Sequence, residues 1–336
     1  VKRTKGQQPV TGLLSDSSRL FRKNLLAWYD LHKRELPWRP SRDPYRVWIS
    51  EIMLQQTRVA AVVEHYQEFL RRFPTVEKLA AAREASVLAA WSGLGYYRRA
   101  RMMRAAAKVI VREHGGKFPA TERALRELPG IGRYTAAAIA SIAFDEPVAV
   151  VDGNVERVLQ RVAGKRLAGE ELWTEANRLL DANRPADFNQ AMMELGATVC
   201  TPRAPACLTC PVVELCATRG ELPNAARVAP QKKREIHYAL KCRNGDVREC
   251  EVFLVQRPRD ASLMPGMWEL PELASMNGDV PAFTLRHSIT ITDYTVRVWR
   301  GVATPTNFGK WITAERLPKI ALTGLARKIL RKAEML

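Results

Sequence analysis

Apolar residues recur at helical spacing through the first two thirds of the chain, and at alternating spacing beyond a polar, basic stretch at 222–234. Leu20, Phe21, Leu25, Leu26, Trp28 and Tyr29 follow the capping cluster Ser15-Asp-Ser-Ser18 and predict a first helix. The same period predicts helices over 60–73, 76–90, 122–128, 135–143, 173–180 and 188–198, and one running through Val111. Another follows Asp152, on Val155, Val158, Leu159 and Val162. Nothing before residue 222 reads as a strand. Past 234 the period falls from 3.6 to 2, predicting strands over 236–242, 249–256, 283–292 and 295–300, with a closing helix over 322–334. The expected architecture is an all-α domain (15–222) behind a disordered basic tail (1–14), a linker (223–235) and a smaller α+β domain (236–336).

At 336 residues the chain is long enough for two cores. Lys and Arg number 53 against 35 Asp and Glu, a net charge of +18, which favours a polyanionic partner held through its phosphates. A membrane surface would suit the charge, but no long basic amphipathic helix or lipidation motif accompanies it. No apolar run reaches the roughly 18 residues of a bilayer span, and the polar N-terminus lacks the apolar core of a signal peptide. The expected compartment is the cytoplasm, on the nucleoid of a bacterium. There, cysteines ligate metals more often than they pair. Cys200, Cys207, Cys210 and Cys216 fall in one window, spaced C-x6-C-x2-C-x5-C, which suits a tetrahedral zinc or a cubane iron–sulfur cluster. Cys242 and Cys250 lie outside it and read as ordinary buried thiols.

The chemistry centres on Leu128-Pro-Gly-Ile-Gly-Arg-Tyr-Thr135. Gly130 and Gly132 permit a tight turn between two helices, and the second helix then offers free backbone N–H groups to an anion, here a nucleic-acid phosphate. Asp152, ahead of Gly153-Asn154, stands at a helix start, where the dipole and free amides favour its ionised form. Glu51 is out of place in its helix, because its same-face neighbours Val47, Trp48, Leu54 and Gln55 are apolar apart from one amide. Desolvation raises a carboxyl pKa and makes a general acid usable near neutral pH. Gly93-Leu-Gly-Tyr-Tyr97 joins backbone freedom to aromatic rings, a combination suited to wedging against bases.

These parts, in this order, resemble the helix-hairpin-helix DNA glycosylases of the endonuclease III superfamily, and within them the MutY-type adenine DNA glycosylases. The resemblance covers nearly the whole chain. It rests on Leu36-Pro-Trp-Arg39, Ser50-Glu-Ile-Met-Leu-Gln-Gln-Thr-Arg58, Gly93-Leu-Gly-Tyr-Tyr97, the hairpin, Val151-Asp-Gly-Asn-Val155 and the cysteine loop. It implies that Glu51 protonates a flipped-out adenine at N7 and that Asp152 stabilises or captures the sugar cation, with Tyr134 and Asn154 positioning Asp152 and water. It also implies a [4Fe–4S] cluster on the four cysteines and an adenine pocket lined by Trp38, Arg39 and Glu194. Gln56 would be a wedge in the duplex, and Leu54, Leu94 and Tyr96 further DNA contacts. Endonuclease III carries a lysine at the place of Tyr134. A tyrosine forms no Schiff base, so base removal without strand cleavage is expected.

The second domain resembles the Nudix-type module of MutY proteins through Gln256-Arg-Pro-Arg-Asp-Ala-Ser-Leu-Met-Pro-Gly-Met-Trp-Glu-Leu-Pro271, but lacks the glutamate-rich helix of a Nudix hydrolase. In the family this module reads 8-oxoguanine opposite the adenine, through a Phe-Ser-His triplet. Here Leu285-Arg-His-Ser-Ile-Thr290 aligns Ser288 with the serine and His287 with the phenylalanine, and a bulge or strand end could aim both at one base. The implied partner is duplex DNA with adenine opposite 8-oxoguanine or guanine, and one site per chain makes a monomer the simpler expectation. The competing readings are a non-catalytic damage binder, disfavoured by the presence of Glu51 and Asp152, and a bifunctional lyase, disfavoured by Tyr134.

Overall fold

The computed structural model describes residues 11–222, 232–244, 250–274, 280–289, 292–304 and 308–336. Residues 1–10 of the expected tail and 223–231 of the expected linker lie outside the described residues. The chain divides into two compact units, one of Val1–Gln55 with Lys117–Ala226, the other of Gln56–Gly116 with Arg227–Leu336.

The helices in chain order are α1 (Thr11–His32), α2 (Pro44–Leu54), α3 (Val59–Arg72), α4 (Val76–Ala81), α5 (Glu84–Ala90) and α6 (Arg98–His114). There follow α7 (Glu122–Leu125), α8 (Arg133–Phe144), α9 (Gly153–Ala163), α10 (Glu170–Leu179) and α11 (Pro185–Thr198). Among the described residues up to 222 every regular element is helical, as the apolar period predicts. The expected helix over 76–90 is in fact two. Ala82 and Arg83 are extended, and the Ala82 carbonyl accepts from Arg104 Nε at 2.6 Å. That bond satisfies a carbonyl freed by the break. Helix α1 starts inside the expected tail, α7 stops short of 128, and α10 and α11 begin earlier than their apolar residues suggest. In α11 the missed signal was Pro185 at the first helical turn, where a proline gives up no hydrogen bond.

In the first unit, Asp43 caps α2 by accepting from Arg46 N at 2.9 Å, with Pro44 beside it. Helix α8 is buried from Thr135 to Ile142 because alanine, serine and threonine dominate it, letting α2 and α11 approach closely. A core of Phe21, Leu25, Tyr29, Val155, Leu159, Phe188 and Leu195 joins α1, α9, α10 and α11.

The second unit adds strands to α3–α6. They are β1 (Lys232–Leu240), β2 (Cys242–Arg243), β3 (Glu251–Gln256), β4 (Trp268–Glu269), β5 (Glu272–Leu273), β6 (Phe283–Ile289), β7 (Thr292–Arg300) and β8 (Lys310–Thr313), followed by helix α12 (Gly324–Lys332). One sheet has the order β5-β1-β7-β6, the other β2-β3-β4 with β8 on β3. Strand β1 starts inside the expected linker. It pairs in parallel with β7 from Lys232↔Thr292 to Leu240↔Arg300, so backbone pairing carries the strand into a polar sequence. Strands of two residues hold no readable period, which is why β2, β4 and β5 were not foreseen. Leu254, Leu285, Val296, Leu325, Ile329 and Leu330 form the core beneath α12.

Gly196 on α11 is a close-approach position. A β carbon there would lie 2.6 Å from Asn154 Cβ and 2.9 Å from the Asn154 carbonyl oxygen. Backbone cannot yield as a flexible side chain can. We expect Gly196→Ala to lower unfolding stability by about 1–3 kcal/mol in denaturant titration, the range for overpacking a filled site.

Candidate active site

Helices α2, α8 and α9 bring Glu51, Tyr134 and Asp152 together within the first unit. Glu51 sits in the last turn and a half of α2 and is 4% exposed. The Tyr134 hydroxyl donates to Glu51 Oε2 at 2.5 Å and has the Met193 sulfur 3.7 Å away. Burial pushes the Glu51 carboxyl from 4.5 up to about 7; the Tyr134 hydrogen bond pulls it down and the charge of Asp152 pushes it up again. Burial, then the neighbouring carboxylates, hold the Tyr134 hydroxyl well above the usual range, so it stays a donor. Gln55 Nε2 donates to Thr135 Oγ1 at 3.1 Å, tying the end of α2 to the start of α8.

Asp152 is the N-cap of α9. Its Oδ1 accepts from Asn154 N at 2.9 Å and Val155 N at 2.7 Å, and its Oδ2 from Asn154 Nδ2 at 3.0 Å. The free amides at the helix start do favour its ionised form, but they act against a second effect. Burial raises its pKa above the ordinary value, and the bonds from Val155 and Asn154 only partly offset this. Asn154 is itself held by Arg157, whose Nη2 donates to Asn154 Oδ1 at 2.8 Å and to the Gly196 carbonyl at 2.7 Å. Arg157 Nε donates to the Cys200 carbonyl at 2.7 Å. Sequence reading missed Arg157; its signal was an arginine five residues past the aspartate, on the face of α9 that carries Asn154.

Glu194 on α11 is buried and fully engaged. Arg34 donates to it through Nε at 2.6 Å and Nη2 at 2.8 Å, and Arg39 through Nη2 at 2.6 Å. Burial raises its pKa, but the two guanidinium groups prevail and hold it below the ordinary value. Arg39 also lies over the Tyr29 ring at 5.5 Å, and Trp38 beside it is buried. Arg34 was not foreseen. Leu54 is half-buried at the end of α2.

At the hairpin Gly130 takes φ +74°, and Ile131 N bonds back to the Leu128 carbonyl at 3.2 Å. A β carbon on Gly132 would meet nothing within 4 Å, so the start of α8 is open above the backbone. Arg133 is drawn aside, 4.0 Å over the Trp173 ring and paired with Glu170 at 2.5 Å.

The four cysteines of the 200–216 loop are partly buried. Burial pushes the Cys210 thiol up to about 11, and the thiols of Cys200, Cys216 and Cys207 act on it in the same sense, so the four are electrostatic neighbours. Arg161 Nη1 donates to Cys200 Sγ at 3.3 Å and Arg219 N to Cys216 Sγ at 3.4 Å. Thiols facing N–H donors fit a group that holds them as thiolates. Among the described residues no three such side chains are gathered closely enough to hold a single metal ion.

The remaining candidates lie in the second unit. Gln56, two residues past the end of α2, takes φ +54°. Leu94 is buried and Tyr96 exposed, in a loop with Gly93, Gly95 and Tyr96 all at positive φ. Arg99, also unforeseen, supports that loop, with Nη2 3.1 Å from the Leu94 carbonyl and its guanidinium 5.6 Å from the Tyr96 ring. His287 and Ser288 are on β6, where the ladder is regular from Phe283↔Val298 to Ile289↔Thr292. No bulge interrupts it, so the two side chains take opposite faces rather than one base edge. Ser288 is exposed and bonded to Asp293; His287 is half-buried.

Residues 49–180 match the HhH-GPD superfamily of base excision DNA repair proteins. The chain is 37% identical over 401 aligned positions to the adenine DNA glycosylase of Mus musculus, covering 94% of this chain and 78% of that protein. The Homo sapiens adenine DNA glycosylase is 36% identical, with 93% and 73% covered. A solved thermostable thymine-DNA glycosylase superposes with a TM-score of 0.58 at 30% identity, over 61% of this chain and 97% of its own. These animal relatives leave the expected bacterial origin without support, while no helix among the described residues is long and apolar enough to cross a membrane. With that identity spread over almost the whole chain and more than two thirds of each animal relative, the chain belongs to the MutY-type adenine DNA glycosylases, DNA-binding base-excision enzymes of the HhH-GPD superfamily.

Proposed function

We propose that the enzyme hydrolyses adenine from duplex DNA where it lies opposite 8-oxoguanine or guanine, and leaves the abasic strand uncut. The observation that carries the reading is the buried Glu51 carboxyl on the Tyr134 hydroxyl, beside Asp152. With a pKa near 7, Glu51 is half protonated at neutral pH and can give its proton to N7 of a flipped-out adenine. Loss of the base leaves a cation-like sugar, which the Asp152 carboxylate, fixed by three N–H donors, stabilises or captures. Tyr134 offers no amine, so no imine with the sugar forms and β-elimination is not set up.

Cys200, Cys207, Cys210 and Cys216 would hold a [4Fe–4S] cluster, which when bound supplies a redox-capable staple across the loop. The Nudix-like reading of the strand-rich part, with Ser288 as the exposed reader of the base opposite adenine, is supported by its place on the last strand of its sheet among the described residues. His287 then backs the strand from the inner face. Burial and the charge of Lys328 push its pKa down, which favours the neutral ring.

Glu51→Gln should keep duplex binding and lose at least about a thousandfold in single-turnover excision, within the range assigned to general acids. If it excised adenine at near wild-type rate, the assignment would fail. The wild-type rate should fall as pH rises through about 7.

The same group sets a stability slope. Its folded pKa is raised, so the folded state holds an extra proton between 4.5 and about 7, and stability is lost as pH rises through that window. The shift amounts to roughly 3 kcal/mol. Glu51→Gln should therefore melt higher than wild type at pH 8 and about equally at pH 4, by calorimetry.

Borohydride added during turnover should trap no protein–DNA adduct, and strands should break only on alkali treatment. A stoichiometric adduct would contradict the hydrolytic reading. Elemental analysis should return about four irons per chain. Stoichiometric zinc without iron would reject the cluster.

A further inference from the structure

Within the second unit, the C-terminal helix touches two of the proposed DNA-reading elements at once. At its N-terminal end, Leu322 is fully buried, and its carbonyl accepts from Ser92 Oγ at 3.0 Å and from the Tyr97 hydroxyl at 3.1 Å. Ser92, 2% exposed, accepts in turn from Arg327 Nε of α12 at 3.0 Å. Ser92 and Tyr97 bracket the Gly93–Tyr96 loop, so this clasp fixes both of its ends. The loop has little slack, since a β carbon on Gly93 would lie 3.0 Å from His65 Nε2. Leu322 is also bridged to Trp268, whose carbonyl accepts from Thr323 N at 2.9 Å, and Thr323 caps α12.

One turn along the same helix, Lys328 Nζ donates to the Arg286 carbonyl at 2.6 Å, and Lys332 Nζ to the Thr284 carbonyl at 2.9 Å. Both acceptors are on β6, just ahead of His287 and Ser288, and Leu285 between them packs in one core with Leu325, Ile329 and Leu330 of α12. A nine-residue helix held by packing and by hydrogen bonds at both ends moves as a rigid piece.

We propose that α12 ties the Gly93–Tyr96 loop to strand β6, and that Ser92, Arg327 and Lys328 are positioning residues through which the base opposite adenine governs excision. The inference rests on the reading above, in which the loop enters the duplex and Ser288 meets the opposite base. A lesion seated on β6 holds α12, and α12 holds the loop in the register that keeps the duplex open. Guanine, lacking the extra contact, leaves that register less populated.

The test is single-turnover excision by the full chain on duplexes with adenine opposite 8-oxoguanine and opposite guanine, read as the ratio of the two rates. Ser92→Ala, which removes both bonds of a buried hydroxyl, should lower the ratio by at least about tenfold, and Lys328→Met, which removes one exposed bond, by about two- to threefold. The double variant should lose little more than the worse single, because both cut one tie. Independent, multiplying losses overturn the tie. So does an unchanged ratio in both singles when Tyr96→Ala and Ser288→Ala still lower it. If Tyr96→Ala and Ser288→Ala leave the ratio untouched, the reading of loop and strand itself is wrong and the tie goes with it. A lysine that merely held phosphate would weaken binding to both duplexes alike and keep the ratio. Should Ser92→Ala fail to fold, Tyr97→Phe removes a donor to the same carbonyl.

Discussion

The first unit depends on burying one carboxyl group that must not be stabilised too well. Glu51 is desolvated by the apolar face of α2, and a fully buried carboxylate without a cation nearby is costly. The cost is limited by one hydrogen bond from Tyr134 and by the proton itself. A lysine or arginine against Glu51 would stabilise the charged form and work against the acid role proposed for it. The guanidinium groups are placed elsewhere, on Glu194, where ion pairs with Arg34 and Arg39 lock α11 to the segment after α1. Two buried glutamates thus have pKa values moved in opposite directions, the one with arginines downwards and the other upwards.

Helix α9 carries the second carboxylate of the proposed chemistry. Asp152 caps its start, Asn154 and Arg157 lie along its inner face, and Arg161 near its end is 4% exposed and meets the cysteine loop at Cys200 Sγ and the Thr201 and Pro202 carbonyls. The loop closes on the same helix, since Cys216 Sγ and Thr218 Oγ1 both donate to the Arg161 carbonyl. The orientation of Asp152 therefore depends on packing that runs the length of one helix and ends at the four thiols.

Much of this was legible in the chain, and the reasons are local. Glu51 stood out because a lone acid in an apolar helical face breaks the pattern, and Asp152 because Asp-Gly-Asn opens a periodic run. Most helices of 11–222 were readable from period, but neither the break at Ala82 and Arg83 nor the starts of α10 and α11 were. What could not be read was pairing between distant segments. Nothing in Lys232-Lys-Arg-Glu235 says strand until β7 lies beside it, and nothing local marks Arg34 as the partner of Glu194. The alternation that predicted β6 also bears on the reader, because an uninterrupted ladder sends His287 and Ser288 to opposite faces.

The lysines over β6 carry one more consequence. As the last strand of its sheet among the described residues, β6 has a free row of carbonyls, the feature that invites a strand from another molecule to add itself. Lys328 and Lys332 occupy two of them, and each brings a positive charge to the rim. A second chain would have to displace both ammonium groups before it could pair there. The edge that carries the proposed reader is thus guarded against self-association by the helix that packs beneath it.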